Sequence, residues 1–443
     1  MSQKIGVRRE DKYEWEKRVP LVPDDVGRLM RAGDLRIVVQ SSRRRIFPDD
    51  DYRHAGAEVL DDLSTCPIIV GIKEIPVEVF EENKVYVFFS HTIKGQEYNM
   101  EMLKRMLELS CTLIDYEKVT DEEGKRLIFF GNFAGFAGMI DTLWALGKRL
   151  AAEGVETPFK DVRRALDYPS LLEAKAAIEE VGDRIAEEGL PDDLAPLVFG
   201  IAGYGNVSRG AQEILDLLPC QEISPVDLLT LQDEQVAGNL VYKAVFKEED
   251  IARRVGADGA FELQEYYDHP ERYEGAFSRF LPHLTVLVNA IYWDKSYPRL
   301  VTVKGLKEMK RPRRLRVIGD ISCDVGGAIE CTVKTTDPHD PVYVYDVSTG
   351  RTVGGVSGEG PVIMAVEILP AELPREASAY FSSVLSEYIP AIAQADYTAG
   401  YEECDLPPEI KRAVIAYRGR LAPDYRYLEE HLGQFAERRG RPA

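Results

Sequence analysis

Two side chains able to move protons near neutral pH stand at the ends of short apolar runs: Lys73 closes IIVGIK and His91 closes VYVFFS. Burial beside other cations lowers a lysine pKa, and histidine titrates near neutrality already. In open parallel sheets ligands lie in the crevice at the carboxyl ends of strands, so the pair is expected to face one cleft and to perform acid–base chemistry. For either residue alone, a solvated strand end is the commoner explanation. Arg18, in KRVPLVP just before a helix start, carries the planar fork that clamps a carboxylate, although taken alone it reads as a surface residue.

A second constellation is GIAGYGNVSRG, which holds Gly203-x-Gly205-x-x-Ser208 directly after an apolar run and directly before the helical AQEILDLL. Glycines there allow a tight turn that brings backbone N–H groups against a pyrophosphate at the helix N-terminus. Ser208 stands where the fingerprint has Gly or Ala, and an ordinary strand-to-helix turn is the plain alternative. The expected coenzyme contacts are Gly203, Tyr204, Gly205, Asn206 and Val207. About twenty residues on, where an acidic residue would bind the ribose 2′-hydroxyl, the run CQEISPVD offers Ser224, with Glu222 and Asp227 on either side. A missing carboxylate at that tip favours NADPH, whose 2′-phosphate it would repel, but no arginine sits beside it. Asn289 in VNAIYW, and Asp320 and Asp324 in GDISCDVGG, are further candidates. The two aspartates could meet a ribose hydroxyl or balance a cation, or simply end a strand in an Asx turn.

These residues need a scaffold of alternating strands and helices. The spacing predicts a helix over Asp25 to Ala32 stopped by Gly33, strands over Arg36 to Gln40 and through IIVGIK, VYVFFS and TLIDY, and a helix over Met100 to Leu109. Such alternation implies a parallel sheet with covering helices. Amphipathic runs over Met139 to Glu153 and Leu172 to Glu188 lead out of this series, and LVFGIAGYG opens a second one, with strands at Thr285 to Ala290 and Arg316 to Ser322. After Gly360 the tail reads as mostly helical, a cap on either domain.

With 443 residues, the chain has room for two domains, each with its own core. Lys and Arg number 55 and Asp and Glu 75, so the net charge of −20 disfavours a phosphate-backbone partner. The short basic runs at Arg43 to Arg45 and at 311–316 read as solvated faces. Six scattered cysteines without a CxxC pair fit reduced thiols and argue against a structural zinc site, so no metal is expected. No apolar run has membrane-spanning length and the N-terminus lacks a signal-peptide core, so a cytoplasmic protein is expected, with no nucleic-acid or membrane partner.

The segments GVRREDKYEWEKRVPLVP, FFSHTIKGQE, LIDYEKV, FGNFAGFAGM, GYGNVSRGAQEILDLLPC, VNAIYW, PRLVT, GDISCDVGGAIE and LPAELPREAS, in order from Gly6 to about Tyr427, carry a family likeness. The chain resembles the lysine-ketoglutarate reductase half of aminoadipic semialdehyde synthase, lysine-forming saccharopine dehydrogenase and, more distantly, alanine dehydrogenase. The resemblance implies an α/β fold of two Rossmann-like domains, with parallel sheets flanked by helices. It also implies a discontinuous substrate domain, 1–140 plus 365–443, around an inserted dinucleotide-binding domain, 141–364. It further implies a reversible reductive condensation of L-lysine with 2-oxoglutarate to saccharopine, with NADP as coenzyme and NAD as the alternative.

Carried over by this resemblance, Lys73 and His91 are the acid/base pair and Arg18 is the substrate-carboxylate arginine, with Arg126 a second. Glu16, Glu74 and Glu117 are acidic positions around the site, and Asp324 lies near the nicotinamide ribose with Asp320 beside it. Glu74 follows Lys73 as in the monofunctional lysine-forming enzymes, where the synthase half has a basic residue, which leaves the coenzyme open. The saccharopine-oxidising step is expected on a separate polypeptide, and a homo-oligomer is compatible. Two other readings share these features: a related amino-acid dehydrogenase or imine reductase with another keto acid or amine, and a non-catalytic nucleotide-binding subunit.

Overall fold

The computed structural model describes residues 3–33, 35–231, 236–256, 260–310 and 314–439. Of the basic run expected at 311–316, positions 311–313 lie outside the described residues. The chain forms two compact units, Met1–Phe130 with Pro374–Ala443, and Gly131–Leu373. Each has a mainly parallel sheet flanked by helices.

The first unit begins with strands β1 (Gln3–Val7), β2 (Leu35–Gln40), β3 (Glu58–Leu60), β4 (Ile68–Val70), β5 (Val85–Phe88) and β6 (Thr112–Asp115). They pair in parallel in the order β3-β2-β1-β4-β5-β6, the doubly wound arrangement whose strand direction of growth reverses between β1 and β4. Every residue of β4, β5 and β6 is buried, which is why these strands read as unbroken apolar runs and not as alternations. Ile68 faces Val85 and Val70 faces Val87 in register, and the Phe89 N–H donates to the Ile72 carbonyl at 2.9 Å. The loops carrying Lys73 and His91 therefore leave the sheet side by side.

The second unit contains β7 (Val198–Ala202), β8 (Cys220–Ile223), β9 (Val241–Phe246), a small antiparallel pair β10 (Ala252–Arg254) and β11 (Tyr273–Gly275), β12 (Val286–Asn289), β13 (Val317–Asp320), β14 (Val342–Asp346), β15 (Arg351–Gly354) and β16 (Val362–Met364). Its sheet order is β15-β14-β16-β13-β12-β7-β9-β8. The strand beside β7 is thus the third of the series, and the second, β8, lies at the edge. The helix Gly131–Ala152 belongs to this unit, so the boundary expected at 140/141 falls inside it. Its physical reason is a close helix crossing: a Cβ at Gly135 would collide with the Val207 carbonyl, and one at Gly210 with the Asn132 carbonyl.

The tail differs from the expected helical cap. It supplies the helix Pro374–Gln394 and then two strands, β17 (Val414–Tyr417) and β18 (Arg420–Leu421), which add an antiparallel hairpin to the open edge of β6. All four residues of β17 are buried. Within the same helix, Ser378 and Ser382 accept the N–H groups of Val19 and Val22, each at 2.9 Å, and so satisfy buried backbone donors of the N-terminal segment. All six thiols are free, and among the described residues no helix is long and apolar enough to cross a membrane.

Candidate active site

In the first unit, the loops after β1 and β4 meet at the point where strand order reverses. Glu10, fully inside the protein, accepts the backbone N–H groups of Ile72 (2.7 Å) and Lys73 (2.9 Å), so one carboxyl fixes the turn that carries the lysine. Burial, followed by the neighbouring Glu16, pushes the Glu10 carboxyl up to about 7. Burial, and next Arg18, lowers the Lys73 amine below the ordinary lysine range, while Glu16 and Glu74 act in the opposite sense. The sum is an amine that gives up its proton more readily than a surface lysine, the property a proton acceptor needs.

The expected roles of the charged neighbours change. Arg18 is buried and paired with Glu16 through two hydrogen bonds, Nε to Oε1 at 2.8 Å and the second nitrogen to Oε2 at 2.6 Å, with its guanidinium 4.3 Å from the Phe130 ring centroid. Burial opposes ionisation of Glu16, but Arg18 and then Lys73 outweigh it and hold the carboxyl below its usual range. Glu16 is therefore occupied by an arginine and not open to a substrate ammonium, and Arg18 has most of its fork engaged. Glu74 pairs with Lys12 at 2.8 Å.

His91 sits at φ 52, an uncommon backbone state for a residue other than glycine, with its carbonyl accepting from the Asn99 side chain at 2.9 Å. Its Nδ1 lies 3.5 Å from Oε2 of Glu117, whose Oε1 takes Arg126 at 2.9 Å. His91, then Arg126, draws the Glu117 carboxyl down to about 2 against the cost of burial. Beneath them Asp115, wholly buried and raised by burial to about 6, accepts the Ser90 N–H at 3.1 Å, the Ser90 hydroxyl and the Glu117 N–H at 2.8 Å. One carboxyl thus holds both the histidine turn and the glutamate that orients it.

In the second unit, Gly203 adopts φ +99 and donates its N–H to the Phe246 carbonyl at 3.0 Å, and a Cβ there would lie 2.8 Å from the Ala290 carbonyl. Gly205 faces open space, so a side chain would fill the cradle in front of the helix Asn206–Leu215, whose first residues are Asn206 and Val207. This bare loop and helix start fit a pyrophosphate. Ser208, at the third position, is buried and accepts from Gln212 at 3.0 Å, while Gly210 makes the close approach to the helix Gly131–Ala152. A cavity of about 270 Å³ opens at the ends of β7, β9 and β12, lined by Tyr204, Lys247, Glu248, Tyr267 and Trp293 among others.

Among the expected coenzyme contacts, Ser224 does not adjoin the glycine loop. Ser224 ends the edge strand β8, one strand removed from β7, and caps the short helix after it by accepting the Asp227 N–H at 3.1 Å. Its hydroxyl donates to the Asp227 carboxylate at 2.7 Å, so a negative charge lies at that tip after all. Asp320 and Asn289 are buried and bonded to each other at 2.8 Å, and Asp320 also accepts from Thr332 at 2.6 Å, a network that ties β12 to β13. Asp324 is exposed in the loop beyond β13. The sequence reading passed over Glu10, Ser90, Asp115 and Glu248. Only position could have signalled them, since Glu10 and Glu248 each follow an apolar strand run closely.

Residues 6–137 match the model of the alanine dehydrogenase/PNT N-terminal domain, and residues 264–423 that of its C-terminal domain. Alpha-aminoadipic semialdehyde synthase of Arabidopsis thaliana is 39% identical over 442 residues, covering 96% of this chain and 41% of that protein. The mitochondrial enzyme of that name from Mus musculus is 35% identical, covering 96% and 47%. The chain thus spans less than half the length of these relatives. Saccharopine dehydrogenase [NAD(+), L-lysine-forming] of Candida glabrata is 28% identical over 89% of this chain and 92% of its own. An L-alanine dehydrogenase structure superposes with a TM-score of 0.59 at 18% identity, covering 97% of this chain and all of that one, and a transhydrogenase from Sinorhizobium meliloti with 0.57 at 16%, covering 95% and all. Matched at both of the family's domains, which together take in well over half of its residues, the chain belongs to the alanine dehydrogenase/PNT family.

Proposed function

We propose that this chain is an oxidoreductase that condenses L-lysine with 2-oxoglutarate and reduces the resulting imine to saccharopine. The observation that carries the reading is the half-buried Lys73, its proton affinity lowered by burial and by Arg18, on the loop after β4 at the strand-order reversal of the first unit, with His91 and its Glu117 partner on the loops after the next strands, β5 and β6. The names and coverage of the relatives support the same substrates.

The reaction needs an uncharged ε-amine. Lys73 in its neutral form takes the proton from the incoming ammonium, freeing the nitrogen to attack the C2 carbonyl carbon of 2-oxoglutarate. The carbinolamine hydroxyl then leaves as water with a proton from His91. Glu117 accepts from Nδ1 of His91, so Nε2 is the nitrogen that exchanges protons with substrate. Arg126 is partly exposed and uses one N–H on Glu117, which leaves its fork for a substrate carboxylate. Arg18 acts mainly by its charge on Lys73. A nicotinamide coenzyme, held by Gly203, Gly205 and the start of the helix Asn206–Leu215, supplies the hydride to the imine carbon when bound. The choice of NADP drawn from Ser224 loses its ground, because Ser224 does not adjoin the glycine loop.

The test is coenzyme oxidation followed by absorbance with lysine and 2-oxoglutarate, each omitted in turn and each replaced by other amines and keto acids. Turnover that requires both supports the reading, and turnover with ammonia or with another keto acid at equal rate overturns it.

A further inference from the structure

We propose that Tyr427, the residue before the helix Leu428–Arg439, is a positioning residue for His91: it fastens the far end of the turn on which that histidine stands. This rests on reading His91 as the group that protonates the departing hydroxyl. The turn is too short to hold itself. His91 at φ 52 and Gly95 at φ 63 bracket a single 3-10 turn, Thr92–Lys94, in which the Gly95 N–H donates to the Thr92 carbonyl at 2.9 Å. A left-handed backbone is unfavourable at a residue other than glycine and persists only where the surroundings impose it. The direction of the His91 side chain is therefore set by what grips the turn from outside.

At its near end, Asp115 holds Ser90 and the Asn99 side chain donates to the His91 carbonyl. The far end is held from 334 positions along the chain: the Tyr427 hydroxyl donates to the Ile93 carbonyl at 2.6 Å. The ring of His431 lies against Gly95, where a Cβ would collide with it. Glycine is thus required there by its backbone angle and by the space the imidazole takes. Arg438 pairs with Glu97, the first residue of the helix that follows the turn, at 2.9 Å. Positions 427, 431 and 438, four and seven residues apart, fall on one stripe. The neighbouring stripe, Leu428, Leu432 and Phe435, packs into the hydrophobic core of the same unit. The helix is anchored by its apolar side and presents Tyr427 and His431 to the turn. Tyr427 remains 48% exposed, so its bond adds little to folding. Its effect on rate is larger, because a displacement of about 1 Å at a reacting group costs up to about a hundredfold.

The experiment measures the single-turnover rate with lysine and 2-oxoglutarate, the coenzyme dissociation constant and the urea midpoint, on the full chain, for the unaltered protein, Tyr427→Phe, His91→Gln and the two changes together. The expected result is a rate about five- to tenfold lower in Tyr427→Phe, with coenzyme affinity and urea midpoint retained. Added to His91→Gln, the same change should cost less than about twofold, because a residue that acts through the histidine has nothing left to position. A Tyr427→Phe rate within about twofold of the unaltered protein, or an equal loss in both backgrounds, overturns the proposal while the reading of His91 stands. A full rate in His91→Gln overturns that reading and this proposal with it.

Discussion

Oε2 of Glu10 lies 2.9 Å from the backbone nitrogen of Lys73, and Oε1 of the same carboxyl lies 2.7 Å from that of Ile72. The lysine proposed to move protons is thus held by its main chain, leaving its amine free to exchange with substrate. Glutamine at position 10 would turn an N–H₂ towards one of these two donors and leave it unpaired in the interior. Glu10→Gln is expected to lower kcat by roughly ten- to a hundredfold through displacement of Lys73, with the coenzyme dissociation constant changed less than about twofold. Steady-state kinetics and coenzyme titration on the same preparation check it.

Glu117 links folding to pH in a defined direction. Its folded pKa, about 2, lies below its ordinary value, so its contribution to stability is full above about pH 4.5 and is lost as pH falls towards 2. The stability difference between the unaltered protein and Glu117→Gln should therefore be greatest near neutrality, at most roughly 3 kcal/mol, and vanish in acid. Urea unfolding at pH 7 and at the lowest pH where the protein stays folded measures both ends.

Asp141 and Glu372 are neighbouring buried carboxyls in the second unit, and Asp141 accepts the Ala165 N–H at 2.8 Å. Burial raises Asp141 to about 6 and Glu372 well above the usual carboxyl range. Both folded values exceed the unfolded ones, so the folded state binds more protons and stability declines as pH rises through this window. Glu372→Gln cannot ionise, and it should gain stability over the unaltered protein as pH goes from about 5 to 8. Thermal unfolding across that range reads the gain.

Ser378 and Ser382 tie the returning helix to the N-terminal segment. Each is buried, and alanine would leave a backbone N–H without an acceptor. Ser378→Ala and Ser382→Ala should each cost about 1–3 kcal/mol in denaturant unfolding with little change in slope.

Much of the scaffold was legible because its strands are buried on both faces and punctuated by glycine: IIVGIK, VYVFFS, TVLVNA and RVIGDIS all contain strands of the two sheets. The strand Val414–Tyr417 was not, since four apolar residues have no readable period and their partner, β6, lies about 300 residues away in the chain. Strand order was equally hidden. The glycine loop announces a turn and a helix start, but nothing local states that β9 intervenes between β7 and β8, and Ser224 was misassigned for that reason. At the candidate site, Lys73 and His91 were visible by residue type and position, and Glu117 only through the family likeness. The Arg18–Glu16 pair, the carboxyl beneath Lys73 and the Asp320–Asn289 bond depend on which side chains meet, which residue type alone does not state.

The central claim, that the Lys73 amine moves the proton that makes lysine a nucleophile, is tested most directly by Lys73→Met. The measurement is kcat for coenzyme oxidation with lysine and 2-oxoglutarate at saturating concentrations, with the coenzyme dissociation constant determined alongside. The account predicts a loss of at least about 10²-fold in kcat with coenzyme affinity retained. Turnover near that of the unaltered protein would contradict it.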